Sequence, residues 1–175
     1  MPLSPNSLLL VTGATGLVGT HVVDRALRDG HRVRALVRGK DQAAQLKARG
    51  VDVIEGDLTN RDALARCAPG VTHVVHCAAK VGDWGPVEDY LAVNVASLND
   101  LISELTRAGT LQRFIHISSL GVYPARDHWG TDESLPISRS GIDGYTRSKV
   151  EAEFAVLAAV KDQKLPAVIL RPGFI

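Results

Sequence analysis

LLLVTGATGLVGTHVVDRAL, residues 8–27, passes from an apolar run through three glycines into a helix-like segment. LLLVT at 8–12 reads as a strand covered on both faces. Gly13 allows a tight strand-to-helix turn, Gly16 lets backbone N–H groups approach a pyrophosphate, and Gly19 permits close packing of helix on sheet. Glycines also make ordinary turns, so the pattern counts only with a strand before it and a helix after it. Both are expected here. The spacing is GxxGxxG rather than the commoner GxGxxG.

Outward from this stretch, short apolar runs alternate with helix-length amphipathic segments along the whole chain. Strands are expected at 8–12, 32–37, 51–55, 72–76, 113–118 and 167–171, and helices near 17–29, 41–49, 60–68, 87–108 and 144–162. That alternation predicts a Rossmann-type doubly wound α/β fold, a parallel sheet with helices on both faces. The segment 87–108 is the clearest helix, with Leu91, Val95, Leu98, Ile102 and Leu105 at three- and four-residue steps. Thr59 followed by Asp62 resembles a capping box, and Gly30 and Gly109 stand where C-terminal caps belong. The stretch 120–143, rich in Pro, Gly, Asp and Ser, is a long loop of the kind that carries function.

With 175 residues, 45% of them hydrophobic, one domain over 1–175 is expected. Twenty basic and 19 acidic residues leave a formal charge of +1, which gives no electrostatic case for nucleic acid or a membrane surface. A small-molecule substrate fits. Cys67 and Cys77 lack ligand spacing and read as reduced structural thiols, one of them in a buried strand. The start MPLSPNS has no basic region leading into an apolar run, and no segment is apolar enough to span a bilayer, so a soluble cytoplasmic protein is expected.

Tyr145 and Lys149, four apart on an expected helix, share one face, where an ammonium would favour phenolate and prepare Tyr145 as general acid/base. Ser119 follows the fifth strand, on the same carboxyl edge as the glycine loop and the HCAA stretch at 76–79. A hydroxyl there can hold a substrate oxygen. His73 and His76 point to opposite faces of one strand and cannot chelate a metal; no metal site is expected. His116 and Ser118 lack an acid, and no GxSxG elbow exists, so hydrolase chemistry is set aside. Trp84 and Trp129 flank the cleft, either covering a ligand or simply packing.

TGATGLVG, GDL at 56–58, HCAA, Asn94, SSLGVY at 118–123, YTRSK at 145–149 and RPG at 171–173 together resemble the extended short-chain dehydrogenase/reductase family. Within it, AAKVGDWGP at 78–86 is most similar to the 3β-hydroxysteroid dehydrogenase and epimerase/dehydratase branch. The resemblance implies that Thr15, Gly16, Leu17 and Val18 surround the pyrophosphate, and that Asp57 and Leu58 border the adenine. It places Cys77, Ala78 and Ala79 as a wall, Pro172 and Gly173 near the nicotinamide, and Asn94 as a support of the active-site helix or a water chain. Ser119 rather than Ser118 is the implied catalytic serine, four residues before Tyr123, and Lys149 would also reach the nicotinamide ribose. Blander readings stand beside these: Asp57 as a loop carboxylate, Ala78 and Ala79 as small core residues, Asn94 as a surface polar group.

Two classes of function remain open: an NAD(P)-dependent oxidoreductase, epimerase or dehydratase acting on a steroid-like or sugar-nucleotide substrate, and a non-catalytic dinucleotide sensor or regulatory module. A homodimer is the one assembly kept open. No acid follows the second strand, whereas Arg38 could pair a 2′-phosphate, so NADP is expected over NAD, with a solvated basic turn as the competing reading. Family members continue past RPG, so the C-terminal substrate-binding part is expected to be missing and the native polypeptide to extend beyond Ile175.

Overall fold

The computed structural model describes residue 4 and residues 6–82, 84–139, 143–173 and 175. Six parallel strands, β1 (Leu8–Thr12), β2 (Arg32–Val37), β3 (Asp52–Glu55), β4 (His73–His76), β5 (Arg113–Ile117) and β6 (Ala167–Leu170), are ordered β3-β2-β1-β4-β5-β6. Between them run α1 (Leu17–Arg28), α2 (Lys40–Ala48), α3 (Arg61–Cys67), α4 (Val87–Leu91), α5 (Ser97–Ala108) and α6 (Gly144–Gln163). The expected doubly wound sheet is present. Residues 140–142 of the expected loop lie outside the described residues.

Alternation along each strand builds two cores. Leu8, Leu10, Val74 and Phe114 face α3, α5 and α6, where Leu64, Leu98, Ile102 and Val156 meet them. Leu9, Val11, Val33, Ala35 and Val75 face the other way, onto Val23 of α1 and Leu46 of α2. Because the chain leaves β1 towards one end of the sheet and β4 towards the other, the connections that follow them part, and this switch point is where a parallel sheet has its crevice.

Three local expectations change. The 87–108 segment is helical throughout but contains a π-helical turn over Ala92–Ala96, with the buried Asn94 at its centre. The cap of α3 is Asn60, whose side chain accepts from the Ala63 N–H at 3.0 Å, because Thr59 is already engaged. Its N–H and hydroxyl donate to Asp57 at 2.9 and 2.8 Å. Neither cysteine lies within a strand: buried Cys67 ends α3, and half-buried Cys77 follows β4 by one residue. Gly30 and Gly109 do take the left-handed conformation after α1 and α5.

The glycine loop is packed backbone on backbone. At Gly13, with φ +68°, an added Cβ would lie 2.7 Å from the Ala78 nitrogen; at Gly19 it would lie 2.0 Å from the Gly13 carbonyl oxygen. Gly16 differs, its nearest neighbour being 3.4 Å away at an ordinary φ of −84°. Gly19→Ala is therefore expected to lower unfolding free energy by about 2 kcal/mol or more, while Gly16→Ala stays close to wild type in urea denaturation. Equal stabilities for the two variants would refute this packing account.

Candidate active site

The N-terminus of α1 opens at the crevice. Thr15, Gly16 and Leu17 are exposed there, Val18 is half-buried, and Gly13 underlies them. Gly16 supplies no side-chain cap and the first turn holds no acid, so free N–H groups and the helix field are left for an anion. Gly19 is buried and works by packing.

Cys77, Ala78 and Ala79 form a half-buried wall fastened to β1. The Cys77 N–H donates to the Thr12 carbonyl at 3.2 Å and the Ala78 N–H to the Thr12 hydroxyl at 3.4 Å. Burial pushes the Cys77 thiol up to about 11, which keeps it protonated and unreactive near neutral pH. Thr12 Oγ1 also bonds His76 Nδ1 at 2.8 Å, and the His76 ring stacks on that of His116, centroids 5.6 Å apart. Burial holds His76 down to about 3 and His116 to about 2, so both imidazoles are neutral. Both ring nitrogens of His116 and the Ser118 hydroxyl are buried without a protein partner. Among the described residues no cluster suited to a metal ion exists.

On the adenosine side, Arg38 is exposed beyond β2, its Nη1 3.5 Å from Asp57 Oδ2. Asp57, two residues past β3, thus brings a carboxylate beside Arg38. The Thr59 N–H bond, with its hydroxyl and Arg38 adding, holds the Asp57 carboxyl below the usual range. Leu58 turns into the core beside Leu64, which leaves Asp57 as the member of that pair on the rim.

The three hydroxyl and amine groups converge on the same edge. Ser119 starts a 3-10 turn (Leu120–Val122), its Oγ accepting from the Gly121 N–H at 3.1 Å. A reciprocal capping box, Asp143 with Thr146, starts α6 and so places Tyr145 in its first turn. Burial raises the Tyr145 phenol above its ordinary value and Asp143 adds to it, against the opposing pull of the nearby Ser119 hydroxyl. The expected lowering by Lys149 is not found: its Nζ is 5.9 Å from the Tyr145 ring centroid and donates to the Ile117 carbonyl at 2.7 Å. Burial lowers Lys149 itself to about 8, against the pull of Glu153 and Cys77.

Asn94 is no surface residue. It is 3% exposed, with Oδ1 accepting from the Lys80 N–H at 2.7 Å and Nδ2 donating to the Lys80 carbonyl at 3.0 Å and to Ser148 Oγ at 2.8 Å. Ser148 in turn donates to the Tyr145 carbonyl at 2.7 Å, so Asn94 ties the wall loop to α6 beneath the tyrosine. Pro172 accepts from the Leu120 N–H at 3.0 Å, and Gly173 lies against Leu120, beside the serine turn. Trp84 and Trp129 are 92% and 91% exposed, which removes the simple-packing reading for both. Sequence reading missed Arg171 and Glu153, joined by an ion pair in which the carboxylate is fully buried and the guanidinium half-buried; the one available signal was an acid a further turn along the Tyr145–Lys149 face.

The sequence pattern of the NAD dependent epimerase/dehydratase family matches residues 9–174. The 3 beta-hydroxysteroid dehydrogenase/Delta 5-->4-isomerase of Mycobacterium tuberculosis is 34% identical over 94% of this chain and 46% of its own length. The 2-alkyl-3-oxoalkanoate reductase of Shewanella oneidensis is 30% identical over 94% of this chain and 44% of its own. The crystal structure of a short-chain dehydrogenase/reductase superfamily protein from Agrobacterium tumefaciens with bound NAD superposes with a TM-score of 0.80, at 30% identity, over 94% of this chain and 48% of that one. The chain thus spans about half the length of these relatives.

Lys149 gives a pH signature. Folded, it releases its proton near pH 8; unfolded, near its ordinary 10.5. Between those values the unfolded state holds more protons, so stability rises with pH, by at most about 3 kcal/mol. Urea denaturation at intervals from pH 7 to 9, below the range in which the raised Cys67 and Cys77 thiols act in the opposite direction, is expected to show this rise in wild type but not in Lys149→Met. Parallel curves would exclude the buried-cation account.

Proposed function

Since the chain belongs to the NAD dependent epimerase/dehydratase family, we propose that it is the dinucleotide-holding part of an oxidoreductase that interconverts a secondary alcohol and a ketone. The observation that carries this is the arrival of Ser119, just past β5, and Tyr145, in the first turn of α6, at the sheet edge where the uncapped α1 N-terminus opens, with Lys149 one turn further along α6 and bonded to the Ile117 carbonyl. A sensor of dinucleotide would not require that trio.

The residues fit NAD(P): an open, acid-free helix start at Gly16 for the pyrophosphate, and a wall of small side chains at Ala78 and Ala79. The nicotinamide, when bound, supplies or takes the hydride. The Ser119 hydroxyl holds the substrate oxygen, and the Tyr145 phenol donates its proton there in reduction or receives it in oxidation. One Lys149 donor is used by Ile117, which leaves two for a ribose hydroxyl and for stabilising phenolate. The raised phenol favours the protonated, donating form of Tyr145. Exposed Val81, Trp84, Leu120 and Trp129 sit on loops at the carboxyl edge and support a ketone on an apolar skeleton. The names of the hydroxysteroid dehydrogenase and the alkyl-oxoalkanoate reductase support the same class.

Tyr145→Phe in the full-length protein is expected to cut turnover by about two to four orders of magnitude, because the phenol acts on the transition state. The dissociation constant for NAD(P)H should stay within about threefold of wild type. Steady-state rates on steroid and small ketones, with fluorescence titration of the cofactor, decide this; near-normal turnover would return the chain to the sensor reading.

The exposed ion pair of Arg38 with Asp57 is weak and can open to admit a 2′-phosphate. Arg38→Ala is expected to weaken NADP binding about tenfold while leaving NAD binding nearly unchanged. Equal affinities for both cofactors, unmoved by the substitution, would rule out a phosphate clamp.

A further inference from the structure

Tyr145, Lys149 and Glu153 follow one another at four-residue steps, so they line one face of α6. Glu153 is fully buried and meets Arg171, the first residue past β6, in a forked ion pair. Arg171 Nε lies 3.0 and 3.2 Å from the two carboxylate oxygens, and Nη2 lies 2.8 Å from Oε2. Its remaining arm, Nη1, donates to the Tyr123 hydroxyl at 2.6 Å. Tyr123 closes the 3-10 turn that Ser119 opens. On either side of Ser119, the Ser118 N–H donates to the Leu170 carbonyl at 2.7 Å and the Leu120 N–H to the Pro172 carbonyl at 3.0 Å.

We propose that Arg171 is a positioning residue of the reaction, a three-way tie that holds the Ser119 turn at one spacing from the Tyr145 face of α6. The proposal rests on the acid/base reading of Tyr145. The chain between the two groups cannot set their spacing, because the described residues from 124 to 139 contain no helix or strand. Contacts across the fold must do it. Asn94 ties α6 to the wall loop through Ser148; Arg171 ties it to the serine turn. The guanidinium also neutralises a buried anion one helical turn from Lys149, which otherwise faces Tyr145, Cys77, His76 and His116.

The test compares Arg171→Gln, Arg171→Lys and Tyr123→Phe with Tyr145→Phe in the full-length protein, reading kcat, KM, the NAD(P)H dissociation constant and the pH profile of kcat/KM. Arg171→Gln is expected to lower kcat roughly 10- to 100-fold, since small misplacements of reacting groups cost that much. KM and cofactor affinity should move less than about threefold. Glu153 then faces Lys149 uncompensated and favours its protonation, so the limb of the profile that falls as Lys149 loses its proton should shift to higher pH. Arg171→Lys should restore the profile with only part of kcat, because an ammonium cannot make the fork and the Tyr123 bond together. Tyr123→Phe keeps the ion pair and hence the fold; it should lose about three- to tenfold in kcat with the profile unchanged. If Arg171→Gln is insoluble, Tyr123→Phe decides. Wild-type kcat in the soluble variants, or equal losses in kcat and cofactor affinity, would overturn the positioning role. Turnover surviving in Tyr145→Phe would remove the acid/base reading itself, whereas inactive Tyr145→Phe beside fully active Arg171 and Tyr123 variants would remove this inference alone.

Discussion

Every ladder of the sheet is parallel, and from that constraint the rest follows. Parallel strands all end on one edge, so the glycine loop after β1, the wall after β4, the serine after β5 and Arg171 after β6 emerge together. A parallel sheet also needs a crossover for each strand, and the crossovers bury both of its faces. The carboxyl edge is what they leave open. Where the chain departs from β1 and β4 in opposite directions, that edge becomes a crevice.

Beneath the edge the core changes character. Leu8 and Leu10 give way to Thr12 on the same face of β1, Val74 to His76 on β4, and Phe114 to His116 and Ser118 on and just past β5. From α6 come Ser148, Lys149 and Glu153, and from the π-helical turn Asn94, all buried. Such a polar layer costs stability unless its members are paired. Most are: Thr12 with His76, Asn94 with Lys80 and Ser148, Glu153 with Arg171. Lys149 donates to a carbonyl, and its burial, only partly offset by Glu153 and Cys77, lowers its affinity for a proton.

Most of the fold was legible before any coordinates, because strand and helix periods and cap glycines are local properties. The strands fell within a residue of their places, and Gly30 and Gly109 took the conformations expected of them. What escaped was set by competition or distance. Thr59 lost the cap of α3 to Asn60 because Asp57, two residues earlier, claimed it. The helix around Asn94 carried the right apolar steps, but nothing local signals a π turn. At the site, Ser119, Tyr145 and Lys149 could be gathered on one rim by topology alone. The direction of the Tyr145 shift could not, because it depends on how deeply the ring is buried and on which acceptor the lysine takes. Arg171 and Glu153, 18 residues apart, meet only through tertiary packing.

The crowding at the glycine loop changes what a glycine motif is evidence for. Gly13 and Gly19 are required by contacts among the protein's own backbone atoms, with or without a nucleotide. A descendant that had stopped using the cofactor would still have to keep both, on pain of misfolding. Gly16 alone is free of that obligation and open to drift once selection for an anion at the helix start is relaxed. Of the three letters that make the motif recognisable, the middle one therefore distinguishes a working dinucleotide site from an inherited scaffold.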